Sequence, residues 1–296
     1  LWNMRMDDVD IDDLQACLDE CQKGKRTKEN MKALAGLMYK YAIPRHTEII
    51  YDHEVEEYVE EVQVDNSPVH LFLSREGYFK RITPQSLRMS GEQKFKEGDE
   101  LRQSFETTMS AEVMFFTDRC QVYKTRVSEF GDSKASVLGD YLPAKLGMDE
   151  GENVIYMCLP GDYSGHMLFF FENGKAAKVP MQSYATTSNR RKLTGAYSDK
   201  SPLVAVLYMK EDAELVLYST EPRALIFHTA LLSPKATRST QGVQVMTLKP
   251  KYHLERVAPL NETGIVNFAR YRARAVPVAG ALLRSEDSDE KQLELL

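Results

Sequence analysis

"FLSREGYFKRITPQSL", residues 72–87, runs from an apolar stretch through a tight turn at Glu76-Gly77 into a returning strand that carries two adjacent cations, Lys80 and Arg81. Much of this pattern returns three more times, in "EVMFFTDRCQVYKTRVSEF" (112–130), "HMLFFFENGKAAKVPMQSY" (166–184) and "ELVLYSTEPRALIFHTALL" (214–232). Aligning the turns brings Gly77, Cys120, Gly174 and Pro222 into register, with spacings of 43, 54 and 48 residues. Each unit opens on an apolar run suited to a strand covered on both faces. Each returns through a more polar strand, where Lys124 with Arg126 and then Lys178 repeat the cationic position of Lys80-Arg81.

Further strand candidates lie between the hairpins: "ENVIYMCLP", "PLVAVLYM" and "QGVQVMTLK". About four strands every 40–55 residues is the signature of a propeller-like array. An ordinary β-sandwich is the alternative, and four in-register copies weigh against it. The segment "VNFARYRARAVPVAGALL" is expected to supply a closing strand. The array therefore has four blades, or five if this segment completes one.

The flanks differ. Leu14, Cys17, Leu18 and Cys21 recur at helical spacing before Gly24, and a second helix is expected from Thr27, with Met31, Leu34, Leu37, Met38 and Tyr41 on one face and Pro44 as its stop. Residues 1–50 thus read as a helical segment, 51–66 as an acidic linker, 67–284 as the β domain and 285–296 as a solvated, disordered acidic tail. The net charge of −6 conceals this division. Residues 1–66 carry 8 Lys/Arg against 16 Asp/Glu, residues 67–284 carry 29 against 23, and the tail carries 1 against 5. The repeat region is basic between acidic ends, which bears on partners rather than on fold.

No apolar run approaches the roughly 20 residues of a membrane span, and the N-terminus lacks the layout of a signal peptide. Beginning on Leu1, the chain is expected to be a fragment. Four cysteines in this length do not suggest a disulfide framework, and reduced thiols in a cytoplasmic protein are the better reading. Cys17 and Cys21 stand one helical turn apart with no second Cys/His pair nearby, so no metal site is expected.

The sequence resembles the A subunit of bacterial type IIA topoisomerases, DNA gyrase and topoisomerase IV. "KYAIPRHTEI" (40–49) is similar to the stretch joining the coiled-coil arm to the C-terminal domain in that family. "LSREGYFKR" is similar to the first-blade hairpin, and "ATRSTQGVQVMTLK" (236–249) to the later-blade pattern with Thr-Gln-Gly-Val. The likeness covers roughly residues 40–280. It implies a mainly β fold, a propeller-like β-pinwheel of four to five blades preceded by a remnant of the helical arm. It also implies that duplex DNA binds and bends around a basic outer edge. On this reading the DNA-binding residues are Lys80, Arg81, Arg88, Lys94, Lys96, Lys124, Arg126, Lys178, Arg190, Arg191, Lys192, Lys235, Arg238, Arg270, Arg272 and Arg274. Such contacts are led by phosphate and depend on salt.

The same resemblance implies one protein partner, the topoisomerase B-type subunit, reached through the missing parts of the A subunit, which include the cleavage core. ATP and Mg2+ would belong to the holoenzyme, with no cofactor in this chain, and the location would be cytoplasmic and nucleoid-associated. The chain departs from gyrase where that enzyme carries a box of the form Gln-Arg-Arg-Gly-Gly-Lys-Gly. Here "LRMSGEQKFKEGDE" has one central Gly, an acidic Glu92, and Arg88, Lys94 and Lys96 as remaining cations. Weaker wrapping and a topoisomerase IV-like or divergent paralogue are expected.

Three sharper readings give way to plainer ones. Arg270-Tyr271 copies the Arg-Tyr pair of the family's nucleophile, but that tyrosine precedes the coiled-coil arm, whereas Tyr271 follows the repeats and is read as a strand residue. No catalytic residue is assigned. Asp8, Asp10 and Asp12 alternate as in a calcium loop, yet the sixth position holds Asp13 instead of Gly and the twelfth Asp19 instead of Glu. "GDYSG" (161–165) misplaces its Ser for a nucleophile elbow and reads as a turn. A propeller-type protein-interaction scaffold is the alternative function. An enzyme with a site in a blade channel is a third, for which no converging carboxylates or His/Cys set is found.

Overall fold

A computed structural model describes residues 24–42, 66–89, 92–186 and 191–287, together with Ala16, Asp19 and Glu20. The chain divides into two units, Leu1–Glu61 and Val62–Leu296. In the first, helix α1 spans Lys25–Ala42, starting two residues before the expected Thr27 and ending two before Pro44. The expected earlier helix, the calcium-like aspartates, Cys17 and Cys21 lie outside the described residues, except that Ala16, Asp19 and Glu20 are helical.

The second unit holds sixteen strands among the described residues. In chain order they are β1 (Pro68–Ser74), β2 (Tyr78–Ile82), β3 (Leu101–Thr108), β4 (Glu112–Thr117), β5 (Gln121–Arg126), β6 (Asp140–Tyr141), β7 (Val154–Cys158) and β8 (His166–Phe171). They continue as β9 (Lys175–Pro180), β10 (Lys192–Thr194), β11 (Leu203–Met209), β12 (Glu214–Ser219), β13 (Arg223–His228), β14 (Val243–Gln244), β15 (Leu254–Pro259) and β16 (Ala281–Leu282). They form four four-stranded sheets: β3-β1-β2-β6, β7-β4-β5-β10, β11-β8-β9-β14 and β15-β12-β13-β16.

Every expected hairpin is the centre of one blade. Its first arm pairs with the long strand that follows the hairpin: β3 on β1, β7 on β4, β11 on β8 and β15 on β12. Its second arm pairs with a short strand that the chain delivers only after it has built the next hairpin: β6, β10 and β14. The fourth blade has no successor, and the C-terminal segment supplies β16 in the same place. The segment closes the fourth blade and does not make a fifth.

The apolar arms are buried on both faces because each interior blade is stacked between two others. Val69, Leu71 and Phe79 of the first blade pack on Val113 and Phe115 of the second. The opposite face of the second, Met114 and Phe116, packs on Met167 and Phe169 of the third. Leu168 and Phe170 then meet Leu215 and Phe227 of the fourth. Each junction holds an aromatic pair between strands: Phe79–Phe115 at 5.4 Å, Phe116–Phe169 at 5.9 Å and Phe170–Phe227 at 6.2 Å between ring centroids. Edge-to-face and tilted contacts of this kind add to the burial of the rings.

The outer face of the fourth blade (Val216, Tyr218, Ala224 and Ile226) is covered by Ile265 and Tyr271 of the C-terminal segment rather than by the first blade. Tyr271 lies in helix α4 (Phe268–Tyr271), not in a strand, after the short helices α2 (Pro84–Met89) and α3 (Leu142–Leu146). Its hydroxyl donates to Asp287 Oδ2 at 2.8 Å, and Asp287 Oδ1 accepts from Val266 N and Asn267 N. Asp287 is fully buried, so Ser285–Asp287 belongs to the cap and not to a solvated tail. Residues 288–296 lie outside the described residues.

Candidate nucleic-acid interface

Of the five expected hairpin cations, Lys80, Arg81, Lys124 and Lys178 are buried and only Arg126 is exposed. Counting from the turn residues Gly77, Cys120, Gly174 and Pro222, the fourth position of the second arm holds Arg81, Lys124, Lys178 and Ile226. The three cationic side chains are only 6%, 7% and 4% exposed. Arg81 donates to Asp132 Oδ1 at 2.8 Å and to Val127 O at 3.1 Å. Lys124 donates to Tyr184 O at 3.2 Å and Thr186 Oγ1 at 3.3 Å, and lies 3.3 Å from Glu112 Oε1. Lys178 donates to Asp212 Oδ1 at 2.6 Å and to Thr229 O at 3.4 Å. A buried charge is tolerated only when paired and hydrogen-bonded, and each of these is. Burial by itself opposes ionisation of Asp212, but the hydrogen bonds from Lys178 and Thr229 outweigh it and hold the carboxyl below its ordinary range.

Lys80 is buried as well. Its ammonium donates to Lys94 O at 2.6 Å and Ala135 O at 3.1 Å, and burial pulls its pKa down. The loop that stands where gyrase has its basic box is thereby held by its own carbonyl. Lys80, Arg81, Lys124 and Lys178, read from the sequence as DNA contacts, are internal struts instead.

Other expected cations are exposed or half-buried but occupied. Lys96 pairs with Glu76 at 2.7 Å, Lys192 with Asp149 at 2.9 Å, and Arg272 pairs with Glu214, its Nη2 donating to Oε2 at 2.7 Å. Arg270 donates to Leu282 O, and Arg238 lies over the Tyr184 ring at 5.9 Å. Arg190 lies outside the described residues. Arg88, Lys94, Arg126, Lys235 and Arg274 are exposed and make no ion pair among the described residues.

A second repeat of charge lies on the segments that deliver the short strands. Ser133 N donates to Arg81 O at 2.8 Å, Arg191 O accepts from Lys124 N at 2.7 Å, Lys235 N donates to Lys178 O at 2.8 Å and Ala273 N donates to Ile226 O at 2.7 Å. Each segment thus meets the fourth position of its blade, and each carries an exposed cation within one residue of that contact: Lys134, Arg191, Lys235 and Arg274. Arg191 is 76% exposed and pairs with Glu129 at 3.1 Å; the other three make no ion pair among the described residues. Lys134 escaped the sequence reading because it stands alone in "GDSKAS", outside any basic cluster. Aligning the segments on the hairpin rather than searching for clusters would have found it. Arg126 and Arg191 border a groove of about 840 Å³ at the end of the second blade. Among the described residues no group of three or more His, Cys, Asp or Glu side chains converges as a metal cage.

Four stacked blades that exchange short strands are also the architecture of a solved domain. The structure of the C-terminal domain of DNA topoisomerase IV superposes with a TM-score of 0.65 and 21% identity, over 76% of each chain. The β domain has the fold of that C-terminal domain. The E. coli ParC C-terminal domain superposes with a TM-score of 0.57 and 14% identity, over 74% of this chain and 95% of that one. In sequence the pinwheel chain is 23% identical over 241 residues to the A subunit of DNA topoisomerase 4 from Staphylococcus aureus, covering 80% of this chain and 30% of that protein. The chain therefore spans about a third of the length of the curated relatives it matches. No family model matches it. The resemblance read from the sequence, and the mainly β pinwheel it implied, are borne out.

Proposed function

We propose that the pinwheel binds and bends duplex DNA as the C-terminal part of a type IIA topoisomerase A-type subunit, presenting the duplex to a cleavage core outside this chain. The observation that carries the proposal is the exposed cation repeated once per blade, at or one residue after the segment's contact with the hairpin: Lys134, Arg191, Lys235 and Arg274. A track of exposed cations on successive blades suits a phosphate backbone and reads no base. Similarity to the topoisomerase IV relatives supports the assignment to that enzyme class. ATP, magnesium and the B-type subunit would act through the rest of the holoenzyme, in the cytoplasm beside the nucleoid.

The test is fluorescence anisotropy on a linear duplex across a salt series, with a bending readout by end-to-end energy transfer. Affinity should fall with salt, with a slope of about 0.9 per phosphate neutralised. Reversing Lys134, Arg191, Lys235 and Arg274 to Glu should flatten that slope by roughly three to four, alike for all sequences. Salt-independent binding, or a loss confined to one sequence, would contradict the reading.

A further inference from the structure

The buried cations at the blade junctions do two things at once. Through their side chains, Arg81, Lys124 and Lys178 reach a carbonyl in the turn that follows the next blade's hairpin, at Val127, Tyr184 and Thr229. Through their backbones the same three residues bond the segment that carries an exposed cation, at Ser133, Arg191 and Lys235. In the fourth blade, which has no following blade, the position holds Ile226. There the backbone contact to Ala273 is kept and the cationic reach is absent. The cation is present wherever there is a next blade to hold, and it stops where the array stops. A residue that served only to stabilise its own strand would not follow that rule, since β13 is as well paired as β5 or β9.

The acidic partners add a constraint of their own. Asp132 and Asp212 lie on the segments leaving or entering the neighbouring hairpin, so these two ion pairs cross a junction, while Glu112 anchors Lys124 within its own blade. Hydrogen bonds to buried charges are short and directional, and a junction closed by one of them has little freedom to open or twist. The aromatic pairs beside them resist separation but can slide.

We propose that Arg81, Lys124 and Lys178 are positioning residues that set the angle between consecutive blades, and with it the spacing of the exposed cations and the curvature imposed on DNA. This rests on the DNA reading above. The number of phosphates met is fixed by the exposed cations, whereas the path joining them is fixed by the buried ones. The two properties should therefore separate.

Lys178→Met keeps the aliphatic stem and removes the ammonium donors. In the full chain it is expected to leave the salt slope of binding unchanged while altering the bend angle measured by energy transfer. Lys235→Glu should do the reverse, lowering the slope by about one. A second readout needs no DNA: the distance between spin labels at exposed Arg119 in the second blade and Lys251 beside the fourth, with the native cysteines replaced. Lys178→Met should shift or broaden this distance, and Lys178→Arg should restore it in part. Should Lys178→Met not fold, Asp212→Asn removes the charge pairing while leaving the carbonyl contact, and should broaden the distance less.

A lowered melting temperature with bend and label distance both unchanged would mark Lys178 as an ordinary stabilising residue and overturn the inference. If the parent chain shows no salt-dependent DNA binding, the preceding reading fails, and the label distance alone decides this one.

Discussion

Lys80 shows how much a side chain's surroundings can alter its role. Its ammonium is ringed by the carbonyls of Lys94 and Ala135 and lies 5.3 Å from the Phe95 ring centroid, with no carboxylate partner among the described residues. Burial holds its pKa below the ordinary 10.5. The unfolded chain consequently binds that proton more tightly than the folded one, so stability should rise as pH climbs through the lowered pKa toward 10.5. Lys80→Met is expected to flatten this alkaline rise in denaturant melts between neutral pH and the ordinary lysine value; an undiminished slope would refute the account. Gly242 makes a different demand, for space. It sits at φ +72° immediately before β14, and a Cβ there would collide with the Ala176 carbonyl. Gly242→Ala should cost at least about 2 kcal/mol in urea unfolding, since both the backbone conformation and a rigid carbonyl oppose it.

At the scale of elements, the outer strands face the problem of every sheet edge, which is to leave no row of unpaired backbone groups. Gln103 on β3 solves it for β7: its amide donates to Met157 O at 3.1 Å and accepts from Met157 N at 2.6 Å, as a neighbouring strand would. Arg102 caps Ile155 O at 2.8 Å, and Tyr156 on β7 accepts from Tyr208 N on β11 at 2.9 Å. Gln103→Ala should destabilise the domain by roughly 1–3 kcal/mol, because two half-buried backbone groups lose their partners. It should also raise self-association, read by light scattering; a variant as monomeric and stable as the parent would rule the clamp out. The central hairpins were legible in the sequence because their apolar runs and turns are local. The outer strand β3 was not, since "LRQSFETT" has one half-buried face and takes its place by pairing with β1, which lies on the far side of the hairpin in sequence. The burial of Lys124 and Lys178 was hidden for the same reason. A cation after a hairpin looks alike whether the next blade covers it or water does.

For the whole molecule, the decisive asymmetry is between its two ends. Three junctions are blade against blade, while the last face is sealed by the C-terminal segment through the Tyr271–Asp287 pair. Tyr271→Phe removes a donor to a buried carboxylate and the acceptor used by Arg284 N at 3.1 Å. A loss of about 1–3 kcal/mol is expected, with faster amide exchange in β13 and β16 and little change in β1 or β2. Uniform exchange across all four blades would instead mean that the array unfolds as one unit.

Strand exchange also governs how such a chain can grow or shrink over generations. A blade as seen in space is not a continuous piece of gene: the second blade needs residues 112–158 and also 192–194, which the chain reaches only after the third hairpin. Excising one hairpin with its flanks would strip a strand from the blade before it, so a deletion cut at spatial boundaries leaves two damaged sheets. A duplication cut in sequence from the second hairpin turn to the third inserts β5, β6, β7 and β8, which are a hairpin's second arm, a delivered strand, an outer strand and the next hairpin's first arm, and leaves every blade complete. Heritable change in blade number is therefore expected in whole turn-to-turn units, each of the length that separates Cys120 from Gly174 or Gly174 from Pro222. Each new unit would need a cation at its fourth position, and only the final one could carry isoleucine.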